Sequence, residues 1–368
     1  MIRRLFLIVL TFVALLAAGL MTAIFIFRHP TPIEFQQATA SQPVRFPRDE
    51  AAHFDAGTEW WYYTGFLRGP DDRHHAFELV FFKVYLPPSV RLGNVVPLGW
   101  INNPVYFGHL ALTDLSSGEH LFFERASFPQ FWEAGARQDR FEVHLGDWRV
   151  WGGQGQHYLR ASAGPYRLRL DLTSDQAPVL HGPEGVGVIA MGQAGTSYYY
   201  SEPDLNGLGL LYVDGTPEGV VATAWMDHQW GSWQSHGGYA GWDWFSLRFE
   251  DGKRVMLFEF RNEDGSIQAE SGGTWIEASG DTQHLEAKDL SIDVLERWTS
   301  PDTGATYPVT WHVSVPGHSL DVVVEATFPG QEMAVQFGPQ YWEGSVAVSG
   351  SSTGVGFVEM TGYAGVAR

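Results

Sequence analysis

Cysteine is absent from this 368-residue chain, which excludes disulfides, thiolate metal sites and a cysteine nucleophile. Basic residues are scarce. Against 42 Asp and Glu stand 23 Lys and Arg, and a net charge of -19 would repel a phosphate backbone, so nucleic acid is not an expected partner. The 14 histidines are scattered, with no H-E-x-x-H or three-histidine spacing, and no metal site is expected. A G-x-S-x-G elbow, a P-loop and a dinucleotide fingerprint are also missing, and GVGFVEMTG (354–362) lacks the strand-to-helix setting of a nucleotide site. No cofactor is therefore expected. After the N-terminal stretch, no amphipathic helix of several turns can be drawn.

What is present points to β structure. Glycine at 42, proline at 20 and aromatics at 14% fit many short strands joined by turns, and the length favours two domains behind any targeting segment. Arg3 and Arg4 precede an uncharged run, Leu5 to Phe27, long enough to cross a bilayer of about 30 Å as a helix. Residues 1–30 are thus expected to be an N-terminal anchor, the alternative being a cleaved signal peptide. The run is longer than a typical signal core, and the nearest A-x-A, Ala38 to Ala40, lies well beyond it. The positive-inside rule then makes the chain a single-pass inner-membrane protein with its bulk in the periplasm. Residues 31–53, with Pro32, Pro43 and Pro47 and no sustained periodicity, read as an extended tether.

From Phe54 onward, apolar runs alternate with turn signals: EWWYYTGFL, GPDDR, HAFELVFFKVYL, and later DGTPEG, EDGK, NEDG and SPDTG. A weak internal repeat sets Glu59-Trp60-Trp61 and the hairpin ending in FFK beside Asp243-Trp244-Phe245 and the hairpin ending in FEFR. Two similar antiparallel barrels follow, expected over 54–225 and 226–368, and the interior of such a barrel is a candidate pocket for an apolar ligand.

Two stretches carry candidate chemistry. In TAWMDHQWGSW (223–233), strand alternation would put His228 on one face with Met226 and Trp230, and Asp227 on the other with Trp225 and Gln229. In GYAGWDWFSL, Asp243 lies between Trp242 and Trp244; if it faced a dry interior its pKa would rise, giving a carboxylic acid able to donate near neutrality. The alternative is an acid paired with Arg248 or Arg261. Glu59, Glu78, His109, Glu124, Glu259, Glu332, Glu343 and Glu359 are further polar residues inside apolar strands, read mostly as structural.

GTEWWYYTGFL, SYYYSEP, AWMDHQWGSW, GWDWFSLRFEDG, YWEGSVAVSG and GVGFVEMTGY, in this order, resemble the lipocalin-like AttH and carotenoid 1,2-hydratase family. The resemblance runs from about residue 54 to the C-terminus and implies two consecutive lipocalin-like barrels. Family hydratases add water across an isolated alkene without a cofactor. On the matching motifs Asp243 would be the acid, His228 the base for water and Asp227 its orienting partner. Trp230, Trp242 and Trp244 would shield the cation, with Trp225, Tyr199, Trp60 and Trp61 as further substrate-binding aromatics. The family's tyrosine close before the acid is displaced here, the nearest being Tyr239. Since other members have no known chemistry, a non-enzymatic carrier of an apolar ligand, serving an ABC transport system, stands beside the hydratase, and a template-type cyclase or isomerase is a third reading.

Overall fold

The structure, a computed structural model, describes residues 35, 37–70, 73–86, 91–92, 96–97, 104–127, 133–183, 187–190, 195–232, 239–336 and 340–364. The expected anchor, Leu5 to Phe27, lies outside these residues; among them no helix is long and apolar enough to cross a membrane.

The architecture is all-β, in two barrel-like antiparallel sheets. The first runs His120–Ser127, Val105–Asp114, His74–Val84, Thr58–Arg68, Thr216–Gly231, Thr196–Val213, Tyr166–Thr173, Gln156–Ala163, Trp148–Gly153, Glu142–Leu145 and Ala134–Ala136. The second runs Thr282–Glu286, Gly272–Ile276, Arg254–Asn262, Tyr239–Phe249, Gly354–Thr361, Tyr341–Gly350, Leu320–Ala326, Thr306–Val315 and Ser291–Thr299. Strand Thr216–Gly231 carries the chain to Gly231 within the first sheet, paired with Thr58–Arg68, so the boundary expected at 225/226 falls later, between Gly231 and Tyr239.

Alternation along each strand makes two cores. One face of the first sheet buries Trp61, Tyr63, Phe77, Phe81, Trp148, Tyr200, Met226 and Trp230; one face of the second buries Phe245, Trp311, Trp342, Val358 and Met360. Both interiors are therefore packed with side chains, and truncating one such ring to alanine costs about 3–5 kcal/mol. The opposite faces of the two sheets meet in a third cluster, in which Tyr62, Val80, Tyr199 and Trp225 of the first pack against Trp244, Met256, Phe258, Phe260 and Phe357 of the second.

The internal repeat survives as topology. Thr58–Arg68 pairs with the next strand and with the last long strand of its sheet, and Tyr239–Phe249 does the same in the second. The repeat also matches two inward-facing ion pairs: Glu59 with Lys83 at 2.7 Å, and Asp243 with Arg261 at 3.0 Å. Lys83 is wholly buried. Removing one partner of such a pair leaves an uncompensated buried charge, so Lys83→Met is expected to cost about 3–5 kcal/mol in urea unfolding. A loss under about 1 kcal/mol would show that Glu59 is neutral or otherwise held.

Residues 37–53 are not an extended tether. Val44 and Ala52 enter the first core, Glu50 accepts from the Gln154 amide at 2.7 Å, and Thr196 Oγ1 donates to the Ala38 carbonyl at 2.7 Å. The prolines disguise the segment by removing periodicity, while its apolar residues pack singly rather than on one face.

Candidate active site between the barrels

Between the two sheets lies a chamber of about 280 Å³, lined by every second residue of the strands that meet there. Trp60 and Tyr62 come from one strand, Glu78, Val80 and Phe82 from the next, and Asp227 and Gln229 from Thr216–Gly231. The second sheet adds Trp242 and Trp244, Phe258 and Phe260, Tyr341 and Glu343, and Glu359 and Thr361. Among the described residues the lining holds four carboxyl groups, Glu78, Asp227, Glu343 and Glu359, the imidazole of His109, and no Lys or Arg.

The acids form three groups. Glu343 accepts from Tyr62 Oη and Glu78 accepts from Tyr341 Oη at 3.1 Å. The two carboxyls interact electrostatically, the charge of Glu78 raising Glu343, and Oε2 of each has no hydrogen-bond partner among the described residues. Glu359, opposite Glu343 on the neighbouring strand, accepts from Trp242 Nε1 at 3.2 Å. Asp227 accepts from Tyr199 Oη at 2.9 Å, Trp225 Nε1 at 2.7 Å and Ser201 Oγ, while Trp244 Nε1 donates to Tyr199 Oη at 3.0 Å.

Burial without a cation favours the neutral forms. Desolvation raises Glu78 to about 8, with the charge of Glu359 adding to it, and raises Glu359 to about 7. Desolvation, then Glu78 and Glu359, hold Glu343 well above the carboxylate range. Asp227 is lifted by burial to about 7 although three hydrogen bonds oppose the rise. The chamber thus presents carboxylic acids that can both donate and accept a proton near neutrality.

From Glu78 a polar chain leads outward. Tyr341 Oη is 2.7 Å from His109 Nδ1, and His109 Nε2 is 3.5 Å from Glu124, which lines a separate outer cavity. Burial lowers the pKa of His109, leaving a neutral imidazole that can pass a proton between its two nitrogens.

The residues singled out in the sequence divide between three places. Asp227, Tyr199, Trp60, Trp242 and Trp244 line the chamber, and Trp225 stands behind it, bonded to Asp227. His228, Trp230 and Trp61 are in the first barrel interior, where His228 Nε2 is 2.8 Å from Glu59 and Trp230 stacks on His53 at 4.0 Å. Asp243 faces the second interior, held by Arg261 and, at 2.8 Å, by Tyr363 Oη. The expected acid and base are therefore not in one pocket. Parity is the reason: Trp242 and Trp244 face the chamber, so the residue between them faces away. Burial raises Asp243, yet Arg261 opposes the rise, the arrangement of a structural ion pair. The expectation of a pocket inside a barrel is likewise corrected, because large side chains fill both interiors.

Glu78, Glu343, Glu359, Tyr62, Tyr341 and His109 also line the chamber, and none of them is taken as a candidate site residue from the sequence alone. A signal was present: Tyr341-x-Glu343 and Glu78-x-Val80-x-Phe82 set an acid on the aromatic or apolar face of a strand with no basic residue on that face.

Among the described residues, His53, Glu59 and His228 offer ligand atoms within 4.8 Å of one another. They do not suit a cation. Lys83 is fixed 2.7 Å from Glu59 Oε2, and Lys83 with His53 holds Glu59 well below its usual pKa against desolvation. His228, lowered to about 4 by burial, is neutral and donates to Glu59, so the trio is a satisfied hydrogen-bond hub.

Comparison with known proteins gives a family and a fold. Residues 37–363 match the AttH-like family. A crystal structure described as an AttH, from Nitrosomonas europaea, has 29% sequence identity and a TM-score of 0.80 over 90% of this chain and 100% of its own. Kievitone hydratase from Nectria haematococca shares the fold at 14% identity, with a TM-score of 0.68 over 89% of this chain and 95% of its own. No curated protein matches the chain.

Proposed function

The chain belongs to the AttH-like family, and we propose that its inter-barrel chamber hydrates an isolated carbon–carbon double bond of an apolar substrate by cofactor-independent acid and base catalysis. The observation that carries this reading is the Glu78–Glu343 pair: two buried, interacting carboxyls raised above the usual range, in an aromatic chamber whose described lining holds no Lys or Arg and, as its one imidazole, the neutral His109.

Neutral Glu343 gives its proton to an alkene carbon. The cation that develops on the neighbouring carbon faces the rings of Tyr62, Trp242 and Trp244, whose π faces attract positive charge, and the carboxylate that remains. Water then forms the new C–O bond and loses a proton to the Glu78–Glu343 pair, which restores the starting state. The net change is addition of one water, with no redox step. Glu78–Tyr341–His109–Glu124 equilibrates the pair's proton with the outside between turnovers.

The chamber is just under the lower end of drug-sized sites, about 300 Å³. It would take the reacting end of a polyene of carotenoid type with the remainder outside, or the whole of a smaller prenylated molecule. Incubation with lycopene-type or neurosporene-type polyenes and a prenylated phenol in ¹⁸O-water should yield a labelled tertiary alcohol, at a rate that falls only once the pH is high enough to ionise Glu343, well above the usual carboxylate range. Recovery of every compound bound but unchanged would instead assign the carrier role, with an ABC transport system as the candidate recipient. In that case Trp244→Ala should weaken retention while Glu343→Gln leaves it intact.

A further inference from the structure

The outer face of the first barrel, away from the chamber, gathers several arginines in neighbouring registers. Register places Arg149 opposite Arg160, Arg160 opposite Arg169, and Arg169 opposite Leu210, a row of three arginines across adjacent strands. The flanking row sets Tyr158, Asp171, Leu208, Val221 and Arg68 side by side, and Arg167 stands opposite Tyr212. Like charges directly opposite one another destabilise a sheet, so the row is not explained by folding. Five arginines on one face are also a large share of 23 basic residues in a chain of net charge -19.

Apolar and aromatic groups are interleaved with them. Leu208, Leu210 and Val221 are 67%, 36% and 42% exposed. Arg149 and Arg160 lie over Trp151 at 4.8 and 5.3 Å, and Arg167 and Arg169 over Tyr212 at 5.4 and 5.6 Å. Arg149 pairs with Glu142, and Arg160 with Asp171, the acid inside the patch; Arg167 and Arg169 have no carboxylate partner among the described residues. A shallow cavity lined by Arg160, Arg167, Arg169 and Asp147, whose carboxylate pairs with Arg125, opens beside them.

From this we propose that the face formed by Arg149, Arg160, Arg167, Arg169, Tyr212 and Leu208 rests on an anionic bilayer surface. Arginines would engage lipid phosphates, tryptophan and tyrosine rings would sit at headgroup level, and Leu208, Leu210 and Val221 would enter the acyl boundary. Charge complementarity selects this occupant: the chain as a whole is negative, and this face sets its arginines together where they can meet an anionic surface.

Because the chain has no cysteine, Leu208→Cys provides a unique attachment point for an environment-sensitive fluorophore. The full-length protein would be reconstituted in phosphatidylcholine vesicles with and without phosphatidylglycerol, and quenching by nitroxide lipids measured. The proposal expects a blue shift and strong quenching only with phosphatidylglycerol. Quenching should weaken with salt as the Debye length falls from about 10 Å at 0.1 M to about 3 Å at 1 M. Combining Arg167→Glu and Arg169→Glu, which have no carboxylate partner among the described residues, should reduce the contacting population roughly fivefold or more per arginine in a protein that stays folded by circular dichroism. Equal quenching in both vesicle types, a label that stays in water in both, or salt-independent contact in the unreversed protein would overturn the proposal.

Discussion

Glu343→Gln is expected to lower the rate of hydration by about 10²–10⁴-fold, the range of a lost general acid, with the protein fully folded. Glutamine has nearly the same shape and can still accept the Tyr62 hydrogen bond, but it cannot release a proton to carbon. The contrast is Asp243→Asn. Asp243 is held by Arg261 and Tyr363 on the far side of its strand, so its replacement should lower the unfolding temperature and leave most of the rate. Single-turnover rates and thermal melts of both variants, taken at pH 7, separate the roles. If Asp243→Asn abolished turnover in a well-folded protein while Glu343→Gln retained it, the chamber acids would not be the catalysts.

Stability should fall as pH rises from about 7 to 9, above the range in which the neutral buried His109, His120, His181 and His228 add stability with pH, and the chamber acids are the reason. Their pKa values are higher folded than unfolded: Glu78 goes from 4.5 to about 8, Glu359 from 4.5 to about 7, and Asp227 from 3.8 to about 7. A raised carboxyl stays protonated in the folded state while the unfolded chain has already lost its proton, so the folded state binds more protons and stability declines with pH through this window. The contribution is fully present below the unfolded pKa and is lost as pH passes the folded one. Each tenfold difference in proton affinity between the two states is worth about 1.4 kcal/mol, which makes the whole decline on the order of several kcal/mol. Urea unfolding at a series of pH values should show the decline, and Glu78→Gln with Glu343→Gln should make it shallower, Glu359 and Asp227 supplying the remainder. A wild-type profile that rises across this range would mean that the acids are ionised and paired in the folded protein. The lowered Asp49 and Glu59 cannot produce the decline, since groups with depressed pKa lose their stabilisation toward acid.

Strand parity was legible in the sequence and held. His228 does share a face with Met226 and Trp230, and Asp227 lines the chamber with Gln229. The paired hairpins also pointed to the duplication, to which the structure adds the matching ion pairs Glu59–Lys83 and Asp243–Arg261. What a linear reading could not supply was the meaning of the outward faces. In a lone barrel Glu78, Glu343 and Glu359 would meet water and be ordinary acids. They become buried and neutral because the second sheet closes over the first, a contact between residues far apart in sequence. The resemblance, carried by motifs rather than by faces, assigned chemistry to His228 and Asp243, whose strands turn them into opposite interiors. The N-terminal packing segment was hidden for a different reason, its buried residues following no period at all.

The most direct test is the position of bound ligand in a crystal of the protein grown with a saturated, non-hydratable analogue of whichever compound is turned over or retained. The account predicts density between the two sheets, with the saturated carbons that replace the alkene within van der Waals reach of Glu343 and flanked by Trp242 and Trp244. Density inside the first barrel beside His228, or inside the second beside Asp243, would contradict it.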